Sequence, residues 1–421
     1  MKFSEFGDFL TSGSGIVQLM EDLGGAKTGS GPVYMLGGGN PGAVQGVQDY
    51  LQGEIKRLAE HPERFHGMTG SYDSPDGDED FRQAIADFLN SQYDWNLSLE
   101  NIAITNGSQS SFFTLFNTFA GTYPDGTTKK ILLPLTPEYI GYTDTGFGKQ
   151  LFTSNQPTIE LLDNHMFKYH VDLNQLNIDE SVGAVCVSRP TNPTGNVLAD
   201  QEIEAIRSRC KQHGVPLIID GAYGTPFPNI IFTKALPIWD QDIILCLSLS
   251  KLGLPGVRTG IVIADPKVIQ IISASNAILS LAPGSFGPSL LTASVVNGEI
   301  KRLSNEFVKP FYFDKVHQTV QLMHEKFNGL PYRIHQPEGA IFLWLWLENL
   351  PITSQKLYER LKQRGVFVIA GEHFFPGLDD DGSWRHRHEC VRISYAQDSQ
   401  VVAKGIEIIA EELKKAYRET L

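Results

Sequence analysis

From about residue 100 to residue 265 the chain alternates short, almost continuously apolar runs with longer stretches that mix charged and apolar residues at helical spacing. NIAIT, KKILLPL, GAVCVSR, PLIID, IILCLSLS and GIVIA are rich in β-branched residues and too short for helices. With so little polar alternation, they predict strands buried on both faces. DQEIEAIRSRCKQHG, acidic at its start and closed by glycine, predicts a crossover helix between two of them. Strand and helix in alternation predict an α/β fold with a mainly parallel sheet between helices.

The pattern changes in the last third. A long helical stretch over about 299–328 leads to EGAIFLWLWL, LYERLKQRGVFVIAG, CVRISYA and an amphipathic helix, VAKGIEIIAEELKKAYRE. These elements predict a smaller α+β domain. The expected division is an N-terminal segment (1–47) packing with the small domain, a large domain (48–300) and a small C-terminal domain (301–421). FLWLW reads as a core strand.

Composition narrows the function. With 41% hydrophobic and 20% charged residues over 421 positions, the chain is long enough for a large core. A net charge of −13 argues against general polyanion binding, which needs clustered Lys and Arg, and no nucleic-acid partner is expected. The start, MKFSEFGDFL, lacks the basic and apolar regions of a signal peptide, and no apolar run is long enough for a membrane span. The four cysteines are scattered without a CxxC pair, which fits a reducing cytoplasm and no disulfide or metal framework. HRHEC at 386–390, with His373 upstream, lacks standard ligand spacing and reads as a solvated insertion.

Chemistry concentrates at SLSKLGLPGVRTG, 248–260, where a predicted strand ends in Ser248, Ser250 and Lys251 and a glycine-rich loop leads to Arg258. A lysine at a buried strand end is costly unless its charge is paired or lost. An imine with an aldehyde removes the charge and stores an electrophile. Two hydroxyls and an arginine suit a phosphate. TNGSQSSFF, 105–113, follows a strand and opens a helix. Its free backbone N–H groups attract phosphate, with Gly107 allowing close approach and Ser108 and Gln109 adding donors, although a plain capped helix has the same pattern.

SLSKLGLPGVRTG resembles the lysine-bearing motif of the fold-type I, pyridoxal 5′-phosphate (PLP)-dependent aminotransferases of class I/II. Other segments agree in the family's order. The resemblance implies that Lys251 holds PLP as a Schiff base and, once freed, acts as general base and acid. RPTNPTGN, on its own only a turn, resembles the family's Asn-Pro-x-Gly and implies that Asn192 bonds the cofactor's phenolic oxygen near the substrate carboxylate. LIIDGAYG places Asp220, otherwise readable as a helix N-cap, where a carboxylate keeps the pyridine nitrogen protonated, and Tyr223 where it tunes the imine. PLTPEYIGY implies that Tyr139 stacks on the ring, and Tyr72 of YDSPDG matches the tyrosine that reaches the phosphate of a neighbouring subunit, implying a homodimer with shared active sites. Arg392 of CVRISYA corresponds to the clamp for the substrate carboxylate, and Gly38 of LGGGNP to a contact in the loop that closes over the substrate.

Within the family, GIVQLMEDLG, LGGGNP, TNGSQSSFF, PEYIGY, SRPTNPTGNV, PFPNIIF, SLSKLGLPG, SLAPGSFGP and EGAIFLWLW most resemble the valine–pyruvate branch. That implies ping-pong exchange of an amino group between L-valine and pyruvate, giving 3-methyl-2-oxobutanoate and L-alanine. Other readings of the same fold are an aminotransferase for alanine, aromatic or acidic amino acids, or a lyase or decarboxylase, which product analysis separates. A transcription regulator with an aminotransferase-like domain would carry an N-terminal DNA-binding module, whereas family-like sequence here begins almost at Met1. A binding protein without chemistry is disfavoured because every cofactor residue type is present.

Overall fold

In the strand Leu217–Asp220, Leu217 and Ile219 enter one apolar core and Ile218 enters another. In Ile243–Ser248, Ile243, Leu245 and Leu247 face the first core, and Ile244 and Cys246 the second. A sheet with core on both sides leaves no polar face, which is why these strands read as unbroken apolar runs. The computed structural model describes residues 2–10, 20, 31–147 and 150–419; GIVQLMEDLG, apart from Met20, lies outside the described residues.

Strands are numbered in chain order: β1 (Tyr34–Met35), β2 (Ile102–Thr105), β3 (Gly121–Thr122), β4 (Thr128–Leu133) and β5 (Phe152–Ser154). Then come β6 (Thr158–Leu161), β7 (Met166–His170), β8 (Val182–Ser188), β9 (Leu217–Asp220), β10 (Ile243–Ser248) and β11 (Gly260–Ile263). The last five are β12 (Tyr332–His335), β13 (Phe342–Leu347), β14 (Val366–Phe367), β15 (Ile369–Ala370) and β16 (Cys390–Ser394).

The larger sheet runs β2-β11-β10-β9-β8-β4-β3, with β5 beside β4. Pairing is parallel from β10 through β9 and β8 to β4 and β5, and antiparallel where β11 meets β10 and β2 and where the short β3 meets β4. All six apolar runs named from the sequence are strands of this sheet, and the sheet is mainly parallel as expected. The helix Asp200–His213 crosses from β8 to β9 and stops at Gly214, whose φ of 63° is the left-handed geometry that glycine adopts most easily. The helix Ser108–Phe119 packs Phe112, Leu115 and Phe116 into the second core.

The parallel arrangement brings several carboxyl-terminal strand ends together. Ser188 of β8 lies in register with Asp220 of β9, and Asp220 with Cys246 of β10. Open α/β sheets place their ligands at this edge.

A second sheet runs β15-β16-β13-β12-β7-β6, so two of its strands come from the middle of the chain. FLWLWL is β13, deep in that sheet, and each large apolar side chain buried there contributes about 1.5–3 kcal/mol. β1 pairs in parallel with β14, which ties the N-terminal segment to the C-terminal third. Among the described residues no helix is long and apolar enough to cross a membrane.

The segment HRHEC, 386–390, corrects one expectation: it is not a solvated insertion. In this part of the chain only 379–383 and their immediate surroundings lie in solvent; His386, Arg387, Glu389 and Cys390 are buried. A short helical turn, Arg385–His388, lays the His386 ring 4.4 Å from Trp346 and against the Tyr169 hydroxyl. Burial lowers the His386 pKa to about 3, so the ring is neutral and packs as an aromatic. Flanking tryptophans, not the polar letters of HRHE, decide the burial. Among the described residues no group of three His, Cys, Asp or Glu side chains is placed to hold a metal.

Candidate active site

β10 ends in Ser248, and a tight turn, Ser250–Leu252, places Lys251 at the sheet edge. The Ser248 hydroxyl oxygen accepts from the Ser250 backbone N–H at 3.1 Å, so this serine also fixes the turn that aims the lysine. Lys251 Nζ donates to the Gly39 carbonyl at 2.7 Å and sits 5.4 Å from the centre of the Tyr223 ring. Burial, reinforced by Arg392 and Arg258, lowers its ammonium to about pKa 8, while Asp220 opposes the shift.

Asp220 closes β9. Its Oδ1 accepts from the Ala222 N–H at 2.9 Å and its Oδ2 from the Tyr142 hydroxyl at 2.8 Å. Burial raises its pKa, and those two hydrogen bonds hold the rise back. Tyr223, three residues on, is buried, as its position beyond an apolar strand suggests.

Arg392 lies in mid-β16, between β13 and β15, and is 2% exposed. Nη1 donates to Asn192 Oδ1 at 2.7 Å and Nη2 to the Gly37 carbonyl at 2.7 Å. Phe342 and Phe374 flank the guanidinium, 4.0 and 5.1 Å from ring centre to Cζ. Its Nε–H is buried with no protein partner. Gly38 is buried between the two glycines whose carbonyls bond Arg392 and Lys251, so the loop LGGGNP lies across the same cleft.

Arg258, Gly107 and Ser108 form another corner. Gly107 has a φ of 86°, and a Cβ built there would collide with Arg258 Nη2. A Cβ on Gly260 would come 2.6 Å from the Ser108 backbone nitrogen. Only glycines allow the guanidinium and the opening turn of helix Ser108–Phe119 to approach this closely. Gln109 donates from its side-chain amide to the Gly141 carbonyl at 3.0 Å, so that group holds the neighbouring loop. In that loop the Tyr139 ring lies over Gly141 and meets Tyr142 edge-on at 5.4 Å. Burial raises the Tyr139 hydroxyl pKa, with Asp220 adding to the rise and Arg392 and Arg258 opposing it. Tyr72 alone among the candidates stands apart, 80% exposed on the surface.

The family model for aminotransferase class I and II matches residues 46–409. The chain belongs to that family. It is 48% identical over 420 residues to the valine–pyruvate aminotransferase of Escherichia coli K12, covering all of both chains. Its structure matches the valine–pyruvate aminotransferase of Salmonella typhimurium LT2 with a TM-score of 0.88 and 47% identity, over 96% of this chain and 100% of that one. At 18% identity it shares its fold (TM-score 0.76, covering 99% and 98%) with an α-aminoadipate aminotransferase of Thermus thermophilus, a structure complexed with N-(5′-phosphopyridoxyl)-L-leucine. The fold is therefore that of the fold-type I aminotransferases.

For an aminotransferase, the donor set fits PLP. The amine of Lys251 has a lowered pKa, a buried carboxylate ends the neighbouring strand, and the glycine-lined corner beside Arg258 suits a phosphate. Three residues were not singled out from the sequence: Glu138, Tyr142 and Ser188. Two of them lie inside PLTPEYIGY, but what they touch depends on β8 and β9, which no local pattern reveals.

Proposed function

We propose that this aminotransferase binds PLP and moves an amino group between L-valine and pyruvate, releasing 3-methyl-2-oxobutanoate and L-alanine in two half-reactions. Identity of 48% along the whole chain to a valine–pyruvate aminotransferase carries the choice of substrates. Bound PLP supplies an electron-withdrawing ring that stabilises the carbanion left when the amino acid loses its α-proton.

The chain's own residues have these roles. Lys251 links the cofactor and, when freed, its Nζ takes the α-proton; a pKa near 8 leaves a useful neutral fraction at physiological pH. Asp220 holds the ring nitrogen protonated. Tyr139 would cover a face of the ring, and Asn192 and Tyr223 would donate to its phenolic oxygen. Gly107, Ser108, Gln109, Ser248, Ser250 and Arg258 receive the phosphate through backbone and side-chain donors. Arg392 clamps the substrate carboxylate, with its unpartnered Nε–H supporting that role, and Gly38 belongs to the loop that excludes water.

A homodimer with shared active sites completes the reading. The loop carrying Tyr72 runs to Gly77, where a Cβ would lie 3.3 Å from Pro283. Beside Pro283, Ile278 is 84% and Leu281 62% exposed, an apolar surface suited to a second copy. Asn106 ties this segment to the phosphate corner by bonds to Ser280 and Gly284. Half-reactions with valine, alanine, aspartate and aromatic amino acids test the substrate. Valine and alanine are expected to turn over fastest, and faster turnover of aspartate would replace the substrate pair but keep the class.

A further inference from the structure

Behind Asp220 lies a chain of polar atoms that the function above leaves unused. Tyr142 Oη is 2.8 Å from Asp220 Oδ2, Ser188 Oγ is 3.3 Å from Tyr142 Oη, and Glu138 Oε2 is 2.5 Å from Ser188 Oγ. The other oxygen of Glu138 accepts from the Ser188 backbone N–H at 2.9 Å, and its own N–H donates to the Phe374 carbonyl at 2.8 Å. Glu138 is 2% exposed, and among the described residues no Lys or Arg forms an ion pair with it.

We propose that Glu138 is neutral in the working enzyme and acts as a positioning residue, heading a hydrogen-bond relay through Ser188 and Tyr142 that keeps Asp220 ionised. Counting protons supports it. The three oxygen–oxygen links need three protons directed toward Asp220. Ser188 and Tyr142 supply two, and with Glu138 ionised both are drawn to opposite ends, leaving the Ser188–Tyr142 contact without one. A proton on Glu138 Oε2 donates to Ser188 Oγ, Ser188 then donates to Tyr142 Oη, and Tyr142 donates to Asp220 Oδ2. Every link is filled and the charge rests on Asp220 alone.

The surroundings agree. The groups that face Glu138 are the Asp220 carboxylate from β9, the Cys186 thiol and Ser188 from β8, and Tyr142 with the Tyr139 N–H from its own loop. The Asp220 charge, felt through Tyr142 and Ser188, adds to the cost of ionising Glu138. Burial, with Asp220 adding to it, pushes Glu138 up to about 8 against the pull of the Ser188 and Tyr139 hydrogen bonds. Lys251, the cation that offsets charge here, acts on Asp220 instead.

The purpose of the relay rests on the role proposed above for Asp220; the protonation of Glu138 does not. Infrared spectra of the holoenzyme and of Glu138→Gln are to be compared across pH. A neutral-carboxyl band is expected in the wild type at pH 7, absent from Glu138→Gln, and fading as pH rises past about 8. PLP affinity of the apo forms gives the second readout. Glu138→Ala, Ser188→Ala and Tyr142→Phe are expected to weaken it by about tenfold, with Glu138→Gln restoring it because the amide still donates to Ser188. Lack of the band at pH 7 overturns the neutral Glu138. Equal affinities for Glu138→Gln and Glu138→Ala overturn the relay. If Asp220→Ala leaves PLP affinity unchanged while the band persists, the role of Asp220 fails instead and the relay loses its destination.

Discussion

Arg392 Nη1 and Asn192 Oδ1 meet at 2.7 Å although 200 positions separate them in the chain. One stands in mid-β16 of the six-stranded sheet, the other in the loop beyond β8 of the larger sheet. Their bond joins the two sheets at the cleft and fixes the plane of the guanidinium. Arg392→Lys keeps a charge but loses the planar fork and the packing between Phe342 and Phe374. It is expected to lower kcat/KM for amino acids by about ten- to a hundredfold, mainly through KM. Half-reaction kinetics with valine and alanine measure it.

Lys251 has its ordinary ammonium pKa lowered to about 8. Only the neutral amine attacks an aldehyde, so capture of PLP by the apo form is expected to speed up about tenfold per pH unit up to about pH 8. Above that it levels off. Stopped-flow absorbance on mixing with PLP measures this; a rise continuing beyond pH 10 would show an ordinary lysine. Lys251→Ala is expected to remove both the visible absorption of the linked cofactor and all turnover.

Gly107 combines a φ of 86° with close approach to Arg258. Gly107→Ala is expected to cost about 1–3 kcal/mol in stability through backbone strain. It is also expected to weaken PLP binding by about tenfold or more, because the displaced guanidinium no longer faces the helix N-terminus. Thermal unfolding and PLP titration separate the two effects.

Asp220→Asn preserves shape but cannot carry the charge proposed to hold a proton on the ring nitrogen. Its amide oxygen can keep the bond from the Ala222 N–H while its amide N–H donates to the Tyr142 hydroxyl, so folding is expected to survive. Single-turnover rates with valine are expected to fall on the order of a hundredfold or more.

Tyr72 tests assembly. Light scattering is expected to show a dimer at micromolar concentration, and Tyr72→Phe to weaken PLP binding by about tenfold without dissociating it. Monomer alone would remove the role given to Tyr72.

The strands of the larger sheet were legible because burial on both faces forces unbroken apolar runs, and the runs PLIID and IILCLSLS end at the edge where the candidate site residues gather. Asp220 and Lys251 were found in that way. Gly107 was legible as well, since a glycine between a strand and a helix signals a close approach. HRHEC misled because its letters are polar, while Trp346, Trp384 and Tyr169, distant in sequence or flanking, supply the cover that buries His386.

What the sequence determined by itself was the class of fold, the lysine, the carboxylate and the arginine, each marked by a local pattern or a family motif. Tertiary structure alone decided how they act together. The Asn192–Arg392 bond, the glycine carbonyls that hold Lys251 and Arg392, and the Glu138–Ser188–Tyr142 chain behind Asp220 all join segments far apart in sequence. Hydrogen bonds and burial depend on where strands end in space, and that is set by register and packing across the whole chain.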